Sequence, residues 1–480
     1  MGTTCCNRPV TSEYTRTSSL LKNQVMEYSK NIDIRKHYEF LSVLGSGSFG
    51  KVRLYRNIAY KELKYAVKTL KKDGISKPLF DCFKLEVNIL RGLDHPNIVK
   101  YYETFEDEHY LHIVMEYLQG DDLAKIISHK KHNKLSERDM CLITKQLLKA
   151  LVFIHQKNIV HRDIKPENVL FRHKEDYSSL KLIDFGLATT TMRKDRKSCG
   201  SPYYMSPEII NGHFCPKTDV WAVGVILFLM ITGKYPFDNE PRTDIFENIV
   251  KKPVDVKLLK KSNCTNEAID LIQKLLEKEI DDRLSASAAL EHSWFDKFEL
   301  NNNECLSLTM DTIETLRDFS NKTTFQKEVL FFIAKITEED EIKKLRQMFE
   351  EMDTVNTGYL TKEEMKDAIE SKKIKISHND LERIWDGLDF HKTGKVNYTE
   401  FLAGMISGLM KDKEEKLQSA FNFFENTEDE GYISYSSLLQ VIKSFDLPAD
   451  TKNLEKIFHD SEGNNKKIDF ETFKELFSQK

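Results

Sequence analysis

The sequence lacks the cysteine spacing of a metal site or of a disulfide framework. Its 8 cysteines are scattered through 480 residues, and none of them form a C-x-x-C pair. Zinc sites and small stapled domains need such clusters. Isolated thiols fit a reducing compartment, so we expect an intracellular, cytoplasmic protein.

Two further absences exclude other classes of protein. No apolar run reaches the roughly 18 residues that a membrane-spanning helix needs. The longest, 220–231, is interrupted by Gly224, and we predict a buried helix there. An excess of one charge is also missing, because 72 basic residues balance 76 acidic ones. The net charge of −4 therefore predicts no nucleic-acid partner.

Patterning divides the chain into four segments. A polar arm covers 1–37, and 38–295 passes from short β-type runs with one helix to mainly helical sequence. A junction with an amphipathic helix follows at 296–338, and 339–480 is helical. The last segment repeats, with one apolar residue in each short loop: Leu360, Val396, Ile433 and Ile468. Their near-constant spacing marks a repeated helix–loop–helix unit.

A glycine-rich loop connects two predicted strands near the start of the second segment. It reads Leu44-Gly45-Ser46-Gly47-Ser48-Phe49-Gly50-Lys51-Val52. Glycines let backbone N–H groups approach phosphate oxygens because no Cβ intervenes. A dinucleotide-binding loop would lead into a helix, and none is predicted here. The strand–loop–strand context favours the kinase type of phosphate-binding loop.

Two opposite charges further along fit the same kind of site. Lys68 ends an alternating strand, and Glu86 lies on the predicted helix that follows. An ion pair between them would aim the ammonium group at nucleotide phosphates. The alternative is that both are ordinary surface charges.

The segment from His161 to Asn168, HRDIKPEN, followed by Asp184-Phe185-Gly186, resembles the catalytic loop and metal-binding motif of protein kinases. This resemblance implies a bilobal α+β kinase fold with ATP and Mg²⁺ as cofactors. It assigns Asp163 to the substrate hydroxyl and its proton. Asn168 and Asp184 would hold Mg²⁺. Lys165 resembles the lysine by which serine/threonine kinases contact the transferred phosphate.

Other positions match the same family pattern. Met115 stands at the gatekeeper position, and Glu116 and Leu118 would offer backbone contacts to adenine. Asp122 would face the ribose or a basic substrate residue, or would simply be a charge at a helix N-terminus. Glu167 matches a position that binds substrate arginine, so basic residues are expected upstream of the phosphorylated Ser or Thr.

Further matches concern the activation segment and the scaffold. Ser201 replaces the usual threonine near the substrate, and Arg162 would receive a phosphate from that segment. Ser198 and Thr189–Thr191 are the candidate acceptors. Glu208 would pair with Arg283, and Asp219 would brace the catalytic loop.

The repeat resembles four EF-hands, whose loops need oxygen ligands at positions 1, 3, 5, 9 and 12 and glycine at 6. Loop 1 has Val355 at position 3 and keeps Asp353, Thr357, Gly358, Thr361 and Glu364. Loop 2 has His391 at position 3 and keeps Asp389, Thr393, Gly394, Asn397 and Glu400. These two loops are the candidates for Ca²⁺.

The other two loops depart further from the pattern. Loop 3 begins at Glu425 or Asn426 and has Ser437 where the final glutamate belongs. Loop 4 has Lys466 at the glycine position and Thr472 at the end. We expect weak Ca²⁺ binding there or none. The alternative is that all four loops are structural turns.

The order kinase, junction and four EF-hands resembles the calcium-dependent protein kinases of plants and protists. In the junction, Leu316–Ser320 and Phe325–Lys327 resemble the autoinhibitory segment of that family. An apolar stripe of the kind that an EF-hand groove binds follows, formed by Phe325, Val329, Phe332, Ile333 and Ile336.

The N-terminus carries a possible lipidation signal. Gly2, Cys5 and Cys6 resemble sites of myristoylation and palmitoylation, although Cys6 stands where the pattern has Ser or Thr. Two acyl chains would anchor the chain to the cytoplasmic face of a membrane. The alternative is an unmodified tail.

These observations predict a kinase that phosphorylates protein Ser/Thr and is controlled in cis. Without calcium the junction helix would block the cleft, and calcium would move it into the EF-hand module. One alternative is a catalytically dead scaffold. Another is an active kinase whose EF-hand module ignores calcium.

Overall fold

The computed structural model describes most of the chain. The described residues are 29–30, 33–47, 50–58, 61, 63–129, 135–191, 200–237, 244–298, 308–337, 339–406, 408, 414–425, 431–444, 458 and 467–478. Several residues singled out from the sequence lie outside these ranges: Gly2, Cys5, Cys6, Ser48, Phe49, Ser198, Asn426 and Lys466.

The first lobe is a six-stranded sheet with one long helix, α1 (Lys77–Arg91). Its strands are β1 (Ser29–Lys30), β2 (Tyr38–Gly47), β3 (Gly50–Asn57), β4 (Lys64–Lys71), β5 (Tyr101–Glu106) and β6 (Tyr110–Glu116). They are arranged in the order β1-β5-β6-β4-β3-β2. Strand β4 is central and buries six consecutive residues, so the lysine within it cannot be a surface charge.

The second lobe is mainly helical and is built around α3 and α5. Its helices are α2 (Leu123–His129), α3 (Glu137–Gln156), α4 (Pro207–Ile210), α5 (Pro216–Thr232), α6 (Ile245–Lys251), α7 (Val256–Lys261), α8 (Asn266–Leu275), α9 (Ala286–Leu290) and α10 (Ser293–Asp296). Short strands pair as β7 (Ile159–Val160) with β10 (Thr189–Thr190) and β8 (Val169–Phe171) with β9 (Leu180–Leu182).

Helix α5 accounts for the longest apolar run of the sequence. It begins with Pro216 at its first turn and ends at Gly233, whose φ of 71° suits the left-handed C-cap. Residues 218–231 are all buried, so the prediction of a buried helix is confirmed. Within the described ranges, no helix is both long and apolar enough to cross a bilayer.

The C-terminal module consists of helix–loop–helix units. Its helices are α13 (Glu339–Met352), α14 (Lys362–Ser371), α15 (His378–Leu388), α16 (Tyr398–Ile406), α17 (Glu414–Phe424), α18 (Tyr435–Ser444) and α19 (Phe470–Ser478). The loops join in pairs, because β11 (Tyr359–Leu360) is antiparallel to β12 (Val396–Asn397) and Ile433 bridges Ile468. The four apolar marker residues of the repeat are therefore the residues that couple the loops.

The junction forms two helices, α11 (Met310–Ser320) and α12 (Thr324–Ile336), each started by a threonine capping box. Both lie in the EF-hand module, with α11 against α15 and α12 against α16. Four residues of the apolar stripe of α12 are buried there, Phe325, Val329, Phe332 and Ile333. The Phe325 ring meets Phe473, and the Phe332 ring meets Phe424. In this structure the junction thus lies in the EF-hand groove rather than in the kinase cleft.

The first EF-hand pair docks on the kinase. The Thr399 N–H and hydroxyl, at the start of α16, both donate to the Asp94 carboxylate at 2.9 Å. The Lys149 ammonium on α3 lies 3.2 Å from a Glu350 carboxylate oxygen. Lys100 Nζ donates to the Ala334 carbonyl near the end of α12. The first EF-hand pair and the junction helix α12 therefore both contact the kinase domain.

A buried ion pair holds the second lobe together. The Arg283 guanidinium donates two hydrogen bonds to the Glu208 carboxylate, at 2.6 and 3.0 Å. The same guanidinium lies 4.9 Å from the centre of the Trp221 ring. Burial raises the pKa of Glu208, but its bonds to Arg283 outweigh this and hold the pKa below its usual value.

Glu208→Ala should destabilise the protein by about 3–5 kcal/mol, because it leaves the buried Arg283 charge uncompensated. Chemical denaturation followed by circular dichroism measures the effect. Glu247→Ala, which removes an exposed partner of Lys251, is the matched control and should unfold like the unmodified protein. Equal midpoints for all three chains would show that the buried pair contributes little.

Candidate functional site

A buried lysine lies between two carboxylates from different elements. Lys68 on β4 places its ammonium 2.5 Å from Glu86 of α1 and 2.7 Å from Asp184, which follows β9. The Lys68 side chain is only 4% exposed and that of Glu86 only 1%. The structure thus excludes the surface-charge alternative and joins the two lobes at this point.

The charges in this cluster stabilise one another. Burial lowers the pKa of Lys68, but the two carboxylates outweigh burial and raise the pKa above its usual value. Burial raises the pKa of Asp184, and the Lys68 charge outweighs it, so that pKa is lowered. Asp184 remains partly exposed at 19%, so its carboxylate keeps an open side.

The catalytic-loop residues converge beside this cluster. The Lys165 ammonium lies 2.7 Å from Asp163 Oδ2. The Asn168 amide nitrogen donates to the Asp163 carbonyl at 2.8 Å and to its carboxylate at 3.0 Å. Asn168 Oδ1 is therefore the atom that remains for a cation. Ser201 completes the group, since its hydroxyl donates to Asp163 Oδ1 at 3.4 Å.

Helix α5 holds the backbone of the catalytic loop through Asp219. The Asp219 carboxylate accepts hydrogen bonds from the backbone N–H groups of His161 and Arg162, both at 2.9 Å. His155 lies 2.9 Å from the same carboxylate. The bracing role expected for Asp219 matches this geometry, whereas nothing in the sequence pattern pointed to His155.

The described residues of the glycine-rich loop lie at the end of β2 and the start of β3. A Cβ on Gly50 would lie 2.2 Å from the Thr69 carbonyl oxygen of β4, so only glycine fits there. Lys51 and Val52 pair with Thr69 and Lys68. Leu44, Gly45, Ser46 and Gly47 belong to β2. The loop is therefore attached to the strand that carries Lys68.

The residues expected to contact adenine lie at the end of β6 and just after it. Met115 packs against the core, and Leu118 is buried. The Glu116 side chain lies inside the second lobe, 2.8 Å from Arg172 and 3.1 Å from Lys181. The Glu116 side chain is therefore engaged within the protein, and no local sequence pattern pointed to these two basic partners.

The first two EF-hand loops are closed by their own hydrogen bonds. In loop 1, the Asp353 carboxylate accepts from the N–H groups of Thr357 and Gly358, each at 2.7 Å. Glu364 accepts from Thr361 N–H at 2.9 Å and from Val355 N–H at 3.2 Å. Burial raises the pKa of Asp353 to about 6. Loop 1 thus has two carboxylates but no side-chain oxygen at position 3.

Loop 2 has the same closure with one difference. Asp389 accepts from Thr393 N–H at 2.8 Å and from Gly394 N–H at 2.9 Å. Asn397 N–H donates to Glu400 at 2.7 Å, and His391 Nδ1 contacts the other Glu400 oxygen. Over the described residues, no three His, Cys, Asp or Glu side chains are grouped for a metal ion.

In the second EF-hand pair, the described polar groups bond within their own loops. Ser437 uses its hydroxyl to bond the Ser434 carbonyl at 2.9 Å, as a helix cap rather than a cation ligand. Thr472 donates its N–H to Asp469 at 2.8 Å. Glu425 contacts the Gly431 N–H.

Comparisons with known proteins agree with this architecture. The family model for the protein kinase domain matches residues 38–295, and that for an EF-hand domain pair matches 342–406. Calcium-dependent protein kinase 34 of Arabidopsis thaliana is 31% identical over 448 residues, which cover 92% of this chain and 84% of the relative. Calcium-dependent protein kinase 4 of Plasmodium falciparum is 31% identical over 483 residues, covering 96% and 89%.

The chain belongs to the calcium-dependent protein kinase family. It is a protein serine/threonine kinase whose α+β kinase domain precedes a helical EF-hand region.

On the substrate side of this kinase, the Asp122 carboxylate already has a partner within the protein. Asp122 accepts a hydrogen bond from Lys125 N–H at 2.8 Å and pairs with the Lys125 ammonium at 3.0 Å. It therefore caps α2, which is the alternative left open by the sequence. Glu167, by contrast, is exposed beside the catalytic loop.

Arg162 also has partners within the kinase. Its guanidinium donates to the Leu187 carbonyl at 2.7 Å and lies 5.0 Å from the centre of the Phe214 ring. A phosphate acceptor at Thr189 is disfavoured, since that residue is fully buried. Phe214, which lies beyond the motif, could not be linked to Arg162 from the sequence.

Proposed function

We propose that this kinase transfers the γ-phosphate of ATP to protein Ser/Thr, prefers sites with upstream basic residues, and is controlled in cis by its junction and EF-hand module in response to Ca²⁺. One observation supports the catalytic part of the proposal: Lys68 of the first lobe pairs with Asp184 of the second at 2.7 Å, next to the loop that carries Asp163. Phosphoryl transfer depends on positioning and on neutralising charge, and this cluster supplies both.

The residues around the cleft fit ATP and Mg²⁺. Lys68, held by Glu86, is positioned for the phosphates, while Asn168 Oδ1 and the open side of Asp184 are oxygen ligands of the kind that Mg²⁺ prefers. Bound Mg²⁺ would neutralise phosphate charge. Asp163 orients the substrate hydroxyl and takes its proton, and Lys165 stays beside that carboxylate.

The preference for basic substrates rests mainly on Glu167. Its carboxylate is exposed and lies near Tyr204, whose pKa is raised first by burial and in small part by the Glu167 charge. Asp122 contributes less, because a charge that already pairs with Lys125 gains little from a second cation. A substrate arginine would therefore gain more from Glu167 than from Asp122.

Control in cis rests on the position of the junction. Helices α11 and α12 lie in the EF-hand module, and this module contacts the kinase through Asp94, Lys100 and Lys149. A change in the EF-hand loops would therefore reach both the junction and the kinase. Calcium shifts activity if it alters the free-energy difference between this arrangement and one with the junction in the cleft.

A second candidate is an active kinase whose first EF-hand pair does not respond to calcium. The specific observation in its favour is position 3 of both loops, where Val355 and His391 replace the oxygen ligand.

Asp163→Asn should lower kcat for phosphate transfer by about 10²–10⁴-fold, because the amide cannot accept the substrate proton. Transfer of radiolabelled phosphate from Mg-ATP to a protein substrate measures it. Asp296→Asn, an exposed position on α10, is the control and should leave kcat unchanged. A chain without measurable transfer, even unmodified, would favour the scaffold alternative.

Glu167→Gln should raise KM about tenfold for a peptide with an arginine upstream of its serine, since a charge-assisted hydrogen bond is lost. The KM of a matched peptide with alanine at that position should not change. Asp122→Asn should have a smaller effect on the arginine peptide. Equal KM changes for both peptides would contradict a role in reading basic residues.

Removal of 296–480 should abolish the response of kinase activity to calcium, because both the junction and its receptor are lost. Initial rates of the truncated and full chains, in chelator and in calcium buffers, measure this. The same specific activity for both chains under all conditions would argue against control in cis.

A further inference from the structure

We infer that loop 2 of the EF-hand module is closed by the His391 side chain, which occupies the place of a calcium ion and keeps the loop bound to the junction helix without metal. This inference deepens the proposed function, since it identifies a loop of the regulatory module that does not take part in calcium sensing.

The donor set of loop 2 does not fit calcium. Ca²⁺ requires six or more oxygen ligands, and position 3 of the loop normally supplies one of them. Here position 3 supplies an imidazole, whose nitrogen suits softer transition metals. The His391 Nδ1–H donates to Glu400, the residue at position 12 that would bind Ca²⁺ through both oxygens.

Asp389 and Glu400 occupy positions 1 and 12 of loop 2. Each of their four carboxylate oxygens already accepts a hydrogen bond from within the loop. The two Asp389 oxygens accept from backbone N–H groups, and the second Glu400 oxygen accepts from Asn397 N–H. Glu400 is nearly inaccessible, with 1% of its side chain exposed, whereas His391 is 22% exposed. The imidazole thus supplies the partner that this buried carboxylate requires.

The histidine ring also belongs to the packing around the junction helix. It lies 4.6 Å from the Phe390 ring and 5.6 Å from the Phe331 ring of α12, measured between ring centres. Phe331 and Phe390 are themselves in edge contact at 5.6 Å. A cation at Glu400 would have to displace a ring that contacts the junction, so closure of loop 2 and retention of α12 are coupled.

Loop 1 provides the contrast within the same pair. Its position 3 is Val355, a residue that is 64% exposed, and the Val355 N–H and the Thr354 hydroxyl both donate to Glu364 at 3.2 Å. The groups that approach this Glu364 oxygen are therefore a backbone N–H and a small hydroxyl, not an imidazole packed against the junction helix. Any calcium response of this EF-hand pair is therefore left to loop 1.

The first turn of α16, which contains Thr399 and Glu400, connects loop 2 to the kinase. Glu400 follows Thr399, which is bonded to Asp94 of the kinase. A loop held closed by His391 keeps both residues in place whether calcium is present or absent. The contact that loop 2 makes with the kinase therefore does not itself require calcium.

Calorimetric titration of the full chain with CaCl₂ tests the inference through a pair of substitutions. Glu400→Gln should leave the number of calcium ions bound unchanged in the native chain. His391→Asp, which restores an oxygen ligand, should add one bound calcium, and Glu400→Gln should remove that calcium in the His391→Asp chain. His378→Asp, at an exposed histidine of α15, is the matched control and should add none.

Thermal unfolding in chelator gives a second readout. His391→Ala should lower the midpoint by at least about 2 °C, because Glu400 loses its partner, and His378→Ala should not. A calcium ion lost from the native chain on Glu400→Gln, or His391→Asp adding no calcium, would overturn the inference. Neither result bears on whether calcium alters kinase activity. That part of the proposed function fails separately, if the kinase rates in chelator and in calcium are equal.

Discussion

The arrangement of this kinase depends on one buried ammonium group. Lys68 would be costly to bury alone, and it is stable in β4 only because Glu86 and Asp184 approach it from two other elements. Helix α1 must therefore pack inward, and the segment after β9 must turn towards the cleft. Asp184 meets this demand with a left-handed φ of 60°. The positions of Glu86 and Asp184 in the cleft thus follow from the need to pair the buried Lys68 ammonium with carboxylates.

Much of the catalytic site was predictable because its residues occur in short motifs. The segment from His161 to Asn168 places three functional side chains within eight positions, so their proximity follows from local geometry. The Lys68–Glu86 pair was also predictable, since a strand-borne lysine and a helix-borne glutamate are common partners in this fold. The repeat was visible because its apolar marker residues are regularly spaced, and the structure shows them pairing across the loops.

Other features depended on contacts between distant segments. The partners of Glu116 are Arg172, which follows β8, and Lys181 of β9, and no local pattern connects these residues to β6. The docking of Thr399 on Asp94 joins residues 305 positions apart. Asp122 was ambiguous because the same carboxylate can cap a helix or meet a ligand, and only the position of Lys125 decides between them. The sequence indicated the apolar stripe of α12 and an EF-hand groove as its partner, but not the individual rings that cover it, Phe424 and Phe473.

Gly358 illustrates how loop and interface share one residue. Its φ of +74° is required at the sixth position of loop 1, and a Cβ there would lie 2.5 Å from the Phe153 ring and 2.7 Å from the His95 ring of the kinase. The candidate ligand side chains of this loop accept hydrogen bonds from the loop itself, whereas this glycine faces another domain. Cation binding and contact with the kinase are separate constraints on this loop, and one can be lost during evolution while the other is kept. A loop can lose its affinity for metal one side chain at a time and still be unable to exchange the residue that lets the domains touch.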